Sequence, residues 1–204
     1  MKATSLRSQV PNNSHASLKD LLVSLGVARW DVLAFTDGSG STRGKAGGYA
    51  AVYRTHDSAF RTLTGGIEST TSQEAELRAV FEVVNALLVT RKNEQSGGLL
   101  IQLVSDSRYV VDKLASLDPL SSLDTGKHTM LIGGLLEAAR RGVKVAPHYV
   151  PRNQNPLMRL ADHLSKVGRL ANSLETHEPR LAATLSECDK EFPLTIVAAR
   201  KGKI

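Results

Sequence analysis

One cysteine, Cys188, stands in 204 residues. No disulfide can close within the chain, and this usage suits a reducing, cytoplasmic setting. No Cys/His pairs fall at zinc-binding spacing, which removes the zinc-ligating classes. No apolar run approaches the ~20 residues that span a bilayer. The opening stretch MKATSLRSQVPNNSHAS lacks the apolar segment of a secretory signal; it bears Arg and Ser and little acid, which leaves an organellar-targeting reading open. A nucleotide-binding phosphate loop is missing too. Between Gly40 and Gly44 there are three residues where that loop needs four, and Ala46 stands where a Ser or Thr would hold Mg²⁺.

What is present is enough for a folded domain. Hydrophobic residues make up 41%, which argues against global disorder, and the length suits one domain of about 140 residues with tails. The net charge of +6 points to a polyanionic partner without saying anything about fold. Basic residues are dispersed, and only Lys201 and Lys203 form a small basic end, so a broad surface is expected to carry the binding.

The pattern of elements comes from periodicity. Leu18, Leu21, Leu22 and Leu25 fall at helical spacing behind Ser17 and Asp20, an N-cap pair; this helix either packs on the domain edge or docks a partner. Apolar runs at 32–35 and 49–53, joined by a loop rich in glycine, read as a hairpin, and 60–67 supplies a third strand. A long helix is expected over 72–92. The run LLIQLV at 99–104 reads as a strand buried on both faces. A second helix carries Tyr109, Val110, Val111 and Leu114, and a loop over 118–126 leads to a third at 128–141. A strand at 143–150 and, after the polar PRNQNP loop, a helix at 157–170 complete the pattern. Beyond it, 178–188 is expected to be helical and 193–199 to be apolar enough to add a strand or pack on the domain.

Four carboxylates fall at the ends of these elements. Asp37 follows the first strand, where an ordinary Asp-Gly turn competes with a catalytic reading. Glu76 lies within ~40° of Val80, Val83 and Leu87 on the helical wheel, so it faces the core side, whereas Glu74 and Glu82 face solvent. A carboxylate on a buried stripe calls for a metal or an Arg partner, unless the helix end peels toward water. Asp106 ends the central strand, where an N-cap is the competing role and where open α/β sheets also bind ligands. Asp162 lies roughly opposite the apolar face of Leu160, Leu164, Val167 and Ala171, so the wheel reads it as a solvent acid near a helix N-terminus.

FTDGS with GGYA after it, TTSQEAEL, SDSRYV, and VPRNQN followed by LADHLSK resemble, in this order, the four signature segments of the type 1 ribonuclease H family. The resemblance covers about residues 29–170, with 1–28 and 171–204 left as extensions. It implies an α/β, ribonuclease H-like fold: a five-stranded mixed sheet, three antiparallel strands then two parallel, flanked by helices. It also implies that Asp37, Glu76, Asp106 and Asp162 are catalytic metal ligands. Mg²⁺, for which Mn²⁺ substitutes, wants such oxygen ligands, and two ions about 4 Å apart clamp the attacking water and the leaving oxygen. The implied activity is endonucleolytic hydrolysis of the RNA strand of an RNA/DNA hybrid, leaving a 5′-phosphate and a 3′-hydroxyl.

By the same resemblance, Gly38, Ser39, Ser72 and Gln73 lie along the RNA strand, Arg43 and Thr71 form a DNA phosphate pocket, and Arg108 sits beside the third carboxylate. Helix capping by the Thr and Ser residues is compatible with these roles. Two departures matter. Arg152 takes the place of a mobile His that many members carry ahead of the final Asp, which implies slower or differently pH-dependent activity; His148 and His163 are not promoted in its stead. The loop at 117–129 lacks the basic, Trp-bearing protrusion with which some members grip hybrid, so modest, salt-dependent affinity is expected. The implied partner is RNA/DNA hybrid, bound by a monomer, with the extensions as a docking point for a replication protein. A non-catalytic nucleic-acid-binding module on this fold is the alternative, and a DNA resolvase a more distant one.

Overall fold

The computed structural model describes residues 17–40, 46–56, 58–90, 98–120 and 128–170. Arg43, most of the 117–129 loop, and the segments expected at 178–188 and 193–199 lie outside the described residues. The elements in chain order are α1 (Leu18–Ser24), β1 (Val32–Ser39), β2 (Gly47–Thr55), β3 (Arg61–Ile67), α2 (Ser72–Thr90), β4 (Leu99–Ser105), α3 (Arg108–Ala115), α4 (Thr129–Arg140), β5 (Val143–Tyr149) and α5 (Pro156–Arg169).

The five strands form one mixed sheet in the order β3-β2-β1-β4-β5. The β1–β2 and β2–β3 pairs are antiparallel, and β1–β4 and β4–β5 are parallel. Side chains alternate across a strand, and both faces of the sheet centre are covered, which is why β1 and β4 are apolar on both. Val32 and Ala34 join Ile101 and Leu103 beneath Val80, Val83 and Leu87 of α2 and Leu135 of α4. Leu33 and Phe35 join Val104 on the other face, beneath Leu157, Leu160 and Leu164 of α5. The leucines of α1 are buried in that second cluster, so its stripe packs on the domain. Ser17 caps this helix by accepting from the Asp20 amide, and Gly26, at φ +67°, follows its end.

Two features place the functional end of the sheet. In the parallel β1–β4 pair Thr36 stands opposite Ser105, so the next residues, Asp37 and Asp106, emerge side by side where the pairing of these two strands ends, β1 itself running on to Ser39 against β2. On the opposite side of the hairpin, α5 lies unusually near the sheet. A Cβ on Gly48 would overlap Ser165 O, one on Gly66 would lie 2.8 Å from Gly168 O, and one on Gly168 would lie 2.5 Å from Gly65 O. Gly48 and Gly66 of the sheet, with Gly168 of α5, thus let a helix backbone rest on a sheet backbone. Thr64 Oγ1 fixes the contact by donating to Leu164 O at 3.0 Å. At its start, α5 is capped by Asn155 Oδ1, which accepts from the Leu157 amide at 2.8 Å, and Pro156 is compatible with the first turn.

Candidate metal centre

Asp37 is 1% exposed and Glu76 6%, and one oxygen from each of Asp37, Glu76 and Asp106 lies within 4.8 Å of the others. They come from β1, α2 and the end of β4. Glu76 reaches the strand ends because of Gly38: a Cβ there would overlap Glu76 N, so only glycine lets the first turns of α2 settle over β1. The Gly38 amide in turn donates to the Glu76 carboxylate. At the start of α2 the orphan amides are met by Thr71, whose Oγ1 accepts from Glu74 N at 3.2 Å and whose carbonyl accepts from Ala75 N at 3.0 Å.

Arg152, Lys166 and the Ser165 hydroxyl hold the cluster together. Arg152, on a 3-10 turn over Arg152–Gln154, spreads its guanidinium across three acids. Nε is 2.8 Å from Asp106 Oδ2, Nη2 is 3.1 Å from Asp37 Oδ1, and Nη1 is 2.8 Å from Asp162 Oδ1. The last contact is an ion pair without hydrogen-bond alignment. Ser165 Oγ donates to Asp37 Oδ2 at 2.5 Å, and Lys166 Nζ holds Asp162 Oδ2 at 2.7 Å.

Among the described residues, three buried oxygens of these acids have no hydrogen-bond partner: Asp162 Oδ1, which has the Arg152 ion pair, and Glu76 Oε2 and Asp106 Oδ1, which have neither. Buried carboxylate oxygens without a partner are costly, and a hard divalent cation is the group that such an all-oxygen set accommodates. Mg²⁺ or Mn²⁺ therefore fits the residues present. Burial raises the Asp37 carboxyl to about 6; Ser165 and Arg152 pull it down, and the charges of Asp106 and Asp162 push it up. Glu76 is held well above its ordinary value, first by burial and then by Asp37 and Asp106, with Arg152 and the Gly38 amide opposing. Burial works against the charge on Arg152, but Asp37, Asp106 and Asp162 outweigh it and hold the guanidinium more firmly protonated.

The sequence-derived residues divide accordingly. Asp37, Glu76 and Asp106 converge, and Glu76 faces inward. Asp162 departs from the helical-wheel reading: its side chain is 16% exposed and joins the cluster through Arg152. The wheel left out Met158 and Ser165, both buried on α5, and Asp162 lies within ~40° of the first and ~60° of the second. Gly38 and Ser39 border the cluster, Ser72 and Gln73 are exposed on the first turn of α2, and Arg108 is exposed with its guanidinium 4.6 Å from the centroid of Tyr149. His148 Nε2 lies 2.7 Å from Gln102 Oε1, and burial lowers its pKa; His163 is exposed on α5. Ser165 was not singled out by the sequence. Its only signal was its place three residues after Asp162.

The RNase H family model matches residues 29–129. The chain belongs to the RNase H family. The matched segment of this RNase H contains Asp37, Glu76 and Asp106 and ends before Arg152 and Asp162. Solved structures of RNase H domains share its fold. The N-terminal RNase H domain of Rv2228c from Mycobacterium tuberculosis, solved as a fusion with maltose-binding protein, is similar at 21% identity and a TM-score of 0.55, over 70% of this chain and 96% of that one. LC11-RNase H1, isolated from compost by a metagenomic approach, is similar at 15% identity and a TM-score of 0.56. The crystal structure of LC11-RNase H1 in complex with RNA/DNA hybrid matches over 69% of this chain and 97% of that one. No curated protein matches the chain.

Proposed function

We propose that this RNase H cleaves the RNA strand of RNA/DNA hybrids with divalent metal, leaving a 5′-phosphate and a 3′-hydroxyl. The observation that carries the reading is the buried group of Asp37, Glu76 and Asp106 with two partnerless oxygens. A structural cluster would have paired those oxygens within the protein. Asp37, Glu76, Asp106 and Asp162 would hold Mg²⁺ or Mn²⁺. Bound there, the metal would lower the pKa of an attacking water and stabilise charge on the leaving oxygen, in the manner of two-metal sites.

The chain's own residues orient and select. Ser165 and the Gly38 amide fix the carboxylate rotamers of Asp37 and Glu76. Gly38, Ser39, Ser72 and Gln73 lie where an RNA strand crossing the cluster would present its 2′-hydroxyls, the groups that distinguish RNA from DNA. Thr71 and Arg43 would take a phosphate of the DNA strand, and Arg108 a phosphate beside Asp106. LC11-RNase H1, similar in fold, has been crystallised with such a hybrid. The reading places a monomer of this enzyme in the cytoplasm beside the replication machinery.

A binding module without catalysis is favoured by one observation, the ion pairs that Arg152 makes with three of the four acids. Both readings meet one experiment: cleavage of labelled RNA/DNA hybrid against duplex RNA, duplex DNA and single-stranded RNA, in Mg²⁺ and in Mn²⁺, for wild type and Asp37→Asn. Hybrid-only cutting that needs metal and disappears in the variant is expected. Binding of hybrid with no cutting in either metal would leave the module reading in its place.

A further inference from the structure

Arg152 and the two acid oxygens that have neither a hydrogen bond nor an ion pair, Asp106 Oδ1 and Glu76 Oε2, divide the cluster between them. The guanidinium takes Asp106 Oδ2, Asp37 Oδ1 and Asp162 Oδ1. Ser165 takes Asp37 Oδ2 and Lys166 takes Asp162 Oδ2, which leaves Asp106 Oδ1 and Glu76 Oε2 without a partner among the described residues. The group close enough to share one ion is Asp37, Glu76 and Asp106, without Asp162. So the acids present two cation positions. One is bounded by Asp37, Glu76 and Asp106 and contains the partnerless oxygens, and the other, between Asp37, Asp106 and Asp162, contains a cation already.

We propose that Arg152 is a resident cation of the metal centre, so that the free protein takes one divalent ion tightly and a second only when Arg152 withdraws. This rests on the metal-dependent reading of the site. A guanidinium is always charged and its planar fork matches several carboxylates at once, so it neutralises the second position without the cost of an ion's dehydration. It is also able to leave. The Arg152 side chain is 41% exposed and springs from a single 3-10 turn between Pro151 and the buried cap Asn155, so its withdrawal unmakes no strand. A phosphate arriving at the cluster is the natural competitor for it, since Arg pairs with phosphate as it does with carboxylate. Substrate and second metal would then arrive together.

The test is a Mn²⁺ titration of the full chain without nucleic acid, counting free ion by electron paramagnetic resonance, for wild type, Arg152→Ala and Arg152→Lys. Melting temperatures in EDTA and in Mn²⁺ are measured on the same samples. Wild type is expected to bind one ion tightly. In Arg152→Ala a second ion should bind at least about tenfold more tightly than in wild type, because a unit positive charge beside its position is gone. Arg152→Lys, which keeps the charge but not the fork, should fall between the two and serves if the Ala variant does not fold. In EDTA the Ala variant should melt lower than wild type, and Mn²⁺ should close the gap. A second-site affinity equal in wild type and both variants, with no EDTA-specific loss of melting temperature, overturns the inference. If wild type cuts hybrid under those conditions, the functional reading survives that result. If neither protein binds metal, both fall.

Discussion

Ser165 and Asp37 are 128 residues apart in the sequence and share a hydroxyl-to-carboxylate hydrogen bond of 2.5 Å. The same hydroxyl lies 2.9 Å from Asp162 O; it has one proton to give, and the charged acceptor is the stronger claimant. This bond ties α5 to β1 at the point where the acids meet, and it opposes the upward pull of burial on Asp37. Replacing Ser165 by Ala should raise the Asp37 pKa further and shift the acid limb of the activity–pH profile to higher pH. Stability should fall by about 1–3 kcal/mol, the range for a lost hydrogen bond to a charged group. Denaturant unfolding and the pH profile check the two effects separately, and an unmoved limb would contradict the assignment.

Metal-free stability should fall as pH rises across the cluster's titration. Asp37 has its pKa raised from 3.8 to about 6 in the folded protein, and Glu76 is raised as well. The native state therefore binds more protons than the unfolded one in this window. The cluster's contribution is full below the unfolded value and is lost as pH passes through about 6. In EDTA, wild type should gain stability relative to Asp37→Asn between pH 7 and pH 5, and Mn²⁺ at pH 7 should remove the deficit. Melting curves of the two proteins across that range test this, and parallel pH dependences would count against it.

Glu76→Gln should separate stability from activity. The amide still accepts from Gly38 but carries no charge into a buried acidic cluster, so the metal-free variant should melt higher than wild type at neutral pH. Metal-dependent cleavage should drop by at least about a hundredfold, beyond what losing a supporting partner of a ligand costs. A variant that melts lower and keeps its activity would remove Glu76 from the metal centre.

Arg108 gives a test confined to nucleic-acid binding. It is exposed at the start of α3 and held over Tyr149, and the cluster's ion pairs are made by Arg152 and Lys166. Arg108→Ala should weaken hybrid binding and reduce the slope of log affinity against log salt by about 0.9, the value for one phosphate contact. The rate at saturating hybrid should be little changed. An unchanged salt slope would place Arg108 off the substrate path.

Most of the fold was legible because apolar periodicity decides it. The doubly buried run at 99–104 had to be a central strand, and the one-faced stripe of α2 placed Glu76 inward. Less of the site was legible. Asp162 was read as facing water because the wheel took Leu160, Leu164, Val167 and Ala171 as the buried face and left out Met158, which is buried one turn before Asp162, and the small Ser165, whose burial leaves no hydrophobic trace. Arg152 was marked by its place in the chain, but the three acids it spans come from β1, the end of β4 and α5, and their meeting is a property of the sheet register. Ser165 was missed for the same reason. A lone hydroxyl acquires its role from a partner on another element.

The glycine contacts between α5 and the sheet act as a gauge that sets how far two parts of the reaction centre stand apart. Asp162 and Ser165 ride on the helix and Asp37 on the sheet, with only backbone hydrogens at Gly48, Gly66 and Gly168 between them. One added methyl group would lift the helix without touching any charged atom, and a misplacement of about 1 Å is enough to cost on the order of a hundredfold in rate. Positions with no side chain at all are thus where this protein is least able to accept a change while keeping both its shape and its chemistry.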